Sequence, residues 1–353
     1  MNEIVRTARE HGLFSPTPAR AALQALSHLA LYSAGFAGMA FGESAPVRFC
    51  FALLWGAGVF YFGAWLHDLA HYSVVKSRRL SDWLGLCAGN LISNIDFYWW
   101  QEKHNRHHKY PNNADRDPDH FTAGWLRTIH LGAQGRPWWI LRFQGLYIWI
   151  VVLFASLNVS VQSLVFQALQ WKTPGKTPGK TPGKKTDAKR RGVRALFSAA
   201  HYVTFFAILI TAGVGPGESA TLFICGRLTA GGIFAGLGMM NHVGRFAYYN
   251  RDRPASVFVR QVATGRNLGD SPIVFYLTAG LNHHIEHHLF PSMSRFHHRV
   301  CSEFVREYCR AHQVPYEQVG LLRAVRDVSV YLGALGRDGA GAAALLPDGE
   351  AVL

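Results

Sequence analysis

The stretch GLNHHIEHHLFP, residues 280–291, holds four histidines within six positions. On a helix, His284, His287 and His288 stand at i, i+3 and i+4, so their imidazoles share one face and can meet at one point. Neutral imidazole is the commonest protein metal ligand, so this spacing predicts a metal site. His283 falls off that face and is expected at the surface or behind the ligands. The same i, i+3, i+4 pattern recurs in HNRHH, as His104, His107 and His108. HDLAH places His67 and His71 one helical turn apart, and MMNHVGR adds His242 at the end of an apolar run. These are nine imidazoles from four segments. A structural zinc is closed by four ligands, so nine are predicted to hold two metals with open coordination positions. Spacing alone does not choose among Zn, Cu, Fe and Ni. Metal-bound histidines usually donate their other N–H to a carboxylate or carbonyl. Asp68, Asp117, Asp119 and Glu286, beside the clusters, are the candidates for that role. His11, His28, His120, His130, His201, His297, His298 and His312 lack the pattern and are expected to be structural or surface residues.

Four segments can converge only if longer elements bring them together. Apolar runs of about 20 residues, the length that crosses a bilayer as a helix, supply those elements. They are Ala22–Phe41, Val47–Leu66, Trp138–Leu169, Ala195–Val214 and Ala220–Met240. Mean hydropathy near zero implies a sizeable polar portion as well. Basic flanks mark cytoplasmic ends. Arg6, Arg9 and Arg20 precede the first run, while Gly42–Pro46 after it has neither Lys nor Arg. Trp138–Leu169 is basic at both ends and is expected to dip in, form a hairpin or lie in the interface rather than cross. The fold class predicted is therefore all-α: a polytopic membrane protein with about four spans and every histidine cluster on the cytoplasmic side. Arg227 resists the scheme, because it falls well inside the last run, where a charge is costly.

HDLAH, HNRHHKYPNNADRDPDHF and HHIEHHLFPSM together resemble the three histidine boxes of the membrane fatty acid desaturases, particularly the front-end branch, from about residue 45 to about residue 315. The resemblance implies an oxygen-dependent di-iron enzyme with four spans and a cytosolic helical cap that places double bonds in fatty acyl chains. Carried over by position, His67, His71, His104, His107, His108, His284, His287 and His288 match the box ligands. His242 matches the extra ligand before the third box. Position 284 departs from the front-end pattern, in which Gln is usual. Many relatives carry a fused haem domain with an HPGG motif, which is absent here, so electrons are expected from ferredoxin or from cytochrome b5 with its reductase. The acyl group is expected on CoA, a lipid or a carrier protein. A related di-iron hydroxylase or ketolase acting on a lipid is the alternative, because identical metal chemistry can end in oxygen insertion.

The net charge of +14 could suit nucleic acid, but no nucleic-acid fold signature accompanies it, and the positive-inside pattern accounts for it. No cleaved signal peptide is expected. Five cysteines without CxxC pairing argue against disulfides or a thiolate metal site. The expected organisation is a cytosolic segment over 1–20, a membrane desaturase domain over 21–330 and a disordered Gly/Ala-rich tail over 331–353. Residues 172–194, with their TPGK repeat, are expected to form a flexible basic insert. DFYWW, residues 96–100, offers aromatic rings for an acyl channel or for an anchor at headgroup level.

Overall fold

The computed structural model describes residues 2–113, 115–119, 122–123, 126–127, 139–172, 187–244 and 256–337. Among these, the chain is helical apart from two pairs of two-residue strands, as the all-α expectation requires. In order run α1 (Asn2–Glu10), α2 (Pro18–Phe41), α3 (Ala45–Ala70), α4 (Arg78–Leu86) and a π-helical turn (Cys87–Ser93) that continues α4. Then come α5 (Phe97–Lys109), α6 (Gln144–Val151) and α7 (Ala155–Lys172). The long α8 (Asp187–Thr211) and α9 (Pro216–His242) follow. The remainder is α10 (Val257–Ala263), α11 (Pro272–Leu277), α12 (His284–Leu289), α13 (Arg295–Ala311) and α14 (Leu321–Arg337). The chain divides into two compact units. The histidine unit is Met1–Thr17, Lys103–Val151 and Ala235–Leu353, and the aromatic unit is Pro18–Glu102 and Val152–Phe234.

In the aromatic unit, α2 and α3 form a close hairpin. A Cβ at Gly35 would lie 2.7 Å from the Trp55 backbone, and one at Gly58 would lie 2.9 Å from Tyr32, so only glycine lets the two helices approach this far. Trp55 then packs on Phe205 of α8 and Phe223 of α9, at ring distances of 4.7 and 5.8 Å. Asp96 orients the start of α5: its carboxylate accepts from the Trp99 amide at 2.9 Å and from Arg194 at 2.7 Å. Of the rings that follow, Phe97 and Trp100 are buried in the core. Arg227 is fully buried and satisfies backbone rather than facing lipid. It donates to the Ser93 carbonyl at 2.7 Å, to the Ser156 carbonyl at 2.9 Å and to the Ser160 hydroxyl. Ser93 ends the π-helical turn, so its carbonyl lacks a helical partner and the guanidinium supplies one.

Among the described residues, four helical stretches are long and apolar enough to cross a bilayer: Ala45–Ala70, Trp139–Trp171, Ala188–Thr211 and Pro216–His242. The number agrees with expectation, but the membership does not. Trp138–Leu169, expected to stay out, supplies one of the four. It exposes Leu146, Ile150, Phe154, Val161, Val165 and Leu169 along its length, a surface suited to hydrocarbon. Ala22–Phe41 lies in the helix α2 but is not among the four, because Gln24, Ser27, His28, Tyr32 and Ser33 dilute its apolar character. His28 is buried, accepting from the Trp65 indole at 3.2 Å and stacking on Tyr61.

Two expected boundaries move. The basic insert already becomes helix α8 at Asp187, and Arg194 is buried; residues 173–186 of the repeat lie outside the described residues. Residues 331–337, expected in the tail, instead continue α14 to Arg337 with Tyr331, Leu332 and Leu335 buried; residues 338–353 lie outside the described residues.

In the histidine unit, α12 is the centre of the core. Ile285, Leu289 and Phe290 pack with Phe258 and Val262 of α10, Cys301 and Val305 of α13, and Ile4 and Ala8 of α1. Strand Asn267–Leu268 pairs in parallel with Gln318–Val319, which holds the segment ahead of α12 in place.

Candidate metal centre

Three short elements of the histidine unit carry the imidazoles: the end of α5, the last residue of α9, and α12. All six residues of α12 are buried, and Pro291 follows its end, where a helix cannot continue. Its start is fixed by Asn267, whose side-chain oxygen accepts from the Ile285 amide at 2.9 Å. The i, i+3, i+4 triplets of α5 and α12 do not each meet at one point: His107 parts from His104 and His108, and His287 parts from His284 and His288, so that each helix contributes to two poles.

At the first pole, Nε2 of His107 lies 3.2 Å from Nε2 of His242, and Nε2 of His284 lies 2.6 Å from the same atom. Ligand nitrogens of His107, His242 and His288 all fall within 4.8 Å of one another. The opposite nitrogens of these three rings are occupied. Nδ1 of His107 donates to Asp117 at 2.9 Å, that of His242 to the Thr264 carbonyl at 3.0 Å, and that of His288 to the Gln261 carbonyl oxygen at 3.0 Å. A carbonyl oxygen only accepts, so Nδ1 of His242 and of His288 must carry the hydrogen. Each inward Nε2 then presents a lone pair. His288 Nε2 is buried with no hydrogen-bond partner among the described residues. Burial, then the neighbouring imidazoles of His108, His284, His242 and His107, hold the His288 basicity well below its ordinary value, so the ring stays neutral. Buried lone pairs that face one another repel, and a shared cation turns that repulsion into binding. The residues therefore fit a metal ion.

At the second pole, Nε2 of His108 lies 3.0 Å from Nε2 of His104 and 3.0 Å from Nε2 of His287. His67 and His71 belong to the aromatic unit, at the end of α3 and just beyond it. Both are buried, their rings 5.0 Å apart, and Nδ1 of His67 lies 3.0 Å from the Asp68 carboxylate. No cysteine joins any candidate metal group among the described residues, and all five thiols are free.

The acidic candidates separate. Asp117 holds His107, and its carboxylate also accepts from the backbone amides of Asn112 at 2.8 Å and Asp119 at 2.9 Å. Asp119 lies 3.6 Å from the same Nδ1 and pairs with Lys103, whose amine burial lowers to about 8. Glu286 holds no ligand imidazole. It faces the other side of α12, accepting from Asn267 at 2.7 Å and Tyr316 at 3.0 Å, and burial raises its carboxyl to about 7. His283 is buried, not on the surface, with its Nε2 3.5 Å from Asp270. His120 and His130 lie outside the described residues.

Asn112, Gln261 and Thr264 were not singled out by sequence, yet they hold the clustered histidines. Asn112 has φ 57° and donates to the carbonyls of His242 at 3.3 Å and Thr264 at 3.1 Å. Its one signal is the Asn pair in YPNNAD, since Asn tolerates a left-handed backbone.

The fatty acid desaturase family model matches residues 44–320. The chain is 28% identical over 263 residues to the Delta(6)-fatty-acid desaturase fat-3 of Caenorhabditis elegans, covering 72% of this chain and 57% of that protein. It is 26% identical over 272 residues to the acyl-lipid (9-3)-desaturase of Borago officinalis, covering 73% and 57%. It is 26% identical over 274 residues to the Delta(5) fatty acid desaturase fat-4 of Caenorhabditis elegans, covering 75% and 58%. The chain thus spans under two thirds of the length of these relatives.

Proposed function

The chain belongs to the fatty acid desaturase family, and from that premise we propose that it introduces a carbon–carbon double bond into a fatty acyl chain. The reading takes two iron ions held by His67, His71, His104, His107, His108, His242, His284, His287 and His288. The observation that carries it is the set of inward Nε2 lone pairs at the first pole, each fixed by a hydrogen bond on the far side of its ring. Iron is chosen because zinc has no redox chemistry, and imidazole suits iron.

An unactivated methylene has neither an acidic proton nor a leaving group, so side-chain acid–base catalysis cannot open it. The bound metal pair supplies the one-electron and oxygen chemistry that the substrate demands. The chain's own residues bind and orient. Asp117, the Thr264 carbonyl and Gln261 keep their imidazoles in the Nδ1–H tautomer, with Nε2 turned inward. Burial of the imidazoles excludes bulk water from around the reacting centre.

The substrate in this reading is an acyl chain on CoA, a lipid or a carrier protein. O2 takes two hydrogens with their electrons from it, and two more electrons with two protons by way of an external donor, a ferredoxin or cytochrome b5 with its reductase. Two waters form. The protein is a multi-pass membrane protein in this reading, with the metal centre on the cytoplasmic side, a side supported by the basic residues Arg6, Arg9, Lys76, Arg78 and Arg79 in the flanking segments.

The test is turnover under labelled oxygen gas, with a saturated acyl substrate, an electron donor and mass spectrometry of the product. An unlabelled alkene two mass units lighter is expected, formed only with the donor present. A labelled hydroxyl as the main product would replace this reading with that of a hydroxylase.

A further inference from the structure

Gln261, on α10, is buried and touches one ligand residue from each pole. Its amide nitrogen donates to the His108 backbone carbonyl at 2.7 Å, and its amide oxygen accepts from His288 Nδ1 at 3.0 Å. The amide cannot be turned around, because the flipped form would set two oxygens against each other at the His108 carbonyl. That carbonyl therefore dictates which end of Gln261 faces His288, and Gln261 in turn dictates which nitrogen of His288 carries the hydrogen. His108 belongs to the second pole and His288 to the first. Their rings stack at 4.2 Å.

We infer that Gln261 is a positioning residue that couples the two metal poles: anchored on the backbone of a second-pole ligand, it sets the tautomer and ring direction of a first-pole ligand. The inference rests on the two-metal reading of the site. Without the amide, His288 is released to place its hydrogen on Nε2, where it blocks metal binding. The first pole then loses one ligand, while the side-chain donors of the second pole, His104, His108 and His287, keep theirs.

The test compares wild-type protein with Gln261→Leu and Gln261→Glu, each loaded with iron(II) alone. Iron per chain is measured during titration with a chelator, together with the Mössbauer spectrum and the melting temperature of the metal-free form. Wild type is expected to hold two irons. Gln261→Leu is expected to release one of the two about 10–100-fold more readily, the scale for loss of a ligand's hydrogen-bond partner. Gln261→Glu keeps an acceptor for His288 but sets a carboxylate oxygen against the His108 carbonyl, so it is expected to retain both irons, with one of the two iron signals altered by the lost anchor. A merely structural role would lower the metal-free melting temperature and release both irons together. That outcome would overturn the inference, as would release by Gln261→Leu at the wild-type chelator concentration. Should Gln261→Leu fail to fold, a wild-type spectrum in Gln261→Glu would overturn it equally. Wild-type protein that holds no iron would instead remove the two-metal reading and this inference with it.

Discussion

Asp117 bonds His107 Nδ1 through both carboxylate oxygens, at 2.9 and 3.1 Å, while the same carboxylate receives two backbone amides. Three donors converge on a group that only accepts. In Asp117→Asn, one oxygen becomes an NH2 and must oppose a donor. Metal affinity should fall about 10–100-fold, measured as metal per chain after dialysis. Asp119→Asn, altered at a half-exposed carboxylate already paired with Lys103, should stay near wild type. Equal losses in the two variants would refute the distinction.

Arg227→Met tests whether the buried guanidinium stabilises by filling backbone acceptors. The substitution removes a buried charge but leaves the Ser93 and Ser156 carbonyls without it. The Ser156 carbonyl keeps the Ser160 hydroxyl at 2.9 Å, but the Ser93 carbonyl is orphaned at a cost of about 1–3 kcal/mol, so the melting temperature in detergent should drop by a few degrees. An unchanged or higher value would mean that desolvation of the charge had cost as much as its hydrogen bonds contribute.

Cys301 and Cys309 are buried. Burial, and then the charge of Glu286, push both thiols upward, Cys309 to about 12. Because the thiolate is the reactive form and these thiols stay protonated at ordinary pH, raising the pH from about 7 to about 9 should not speed their alkylation in the native protein. Both should react once the chain is unfolded. Mass mapping of the labelled cysteines checks this, and native labelling at the rate of an exposed thiol would contradict it.

The loop between α8 and α9 lacks Lys and Arg, whereas the TPGK repeat is rich in Lys. A cysteine at Gly215, which has open space around it, should be labelled by an impermeant reagent from outside intact cells. One at Thr177 should not. Labelling of both from the same side would dismantle the charge-based topology.

The histidine clusters were legible because helix geometry is local: three and four residues of separation fix neighbouring positions on one side of a helix, though not the division of each triplet between two poles. The same rule explains why Glu286 turns away, since on α12 it lies on the side opposite His284, a reading that its mere adjacency obscured. Gln261, Asn112 and the Thr264 carbonyl were not legible. Each is a single polar group, and its value comes from contacts across a long stretch of chain. Gln261, for example, reaches back to His108 at a separation of 153 residues. Composition also misled at α14, where Gly333 and Gly336 suggested disorder. Gly336 instead admits the Leu141 backbone, and Gln144 donates to the Leu332 carbonyl at 2.7 Å.

The discontinuous make-up of the histidine unit has a consequence for biosynthesis. The aromatic unit is complete once Phe234 has been made, but the histidine unit draws on stretches that reach to the end of the chain. At about 5–20 residues per second, the ribosome needs on the order of seconds to pass from His242 to His288. During that interval His104, His107, His108 and His242 exist without the imidazoles of α12. In the two-iron reading, metal insertion would wait until His288 has been made, and nascent chains arrested before His284 are expected to carry a folded aromatic unit and no metal.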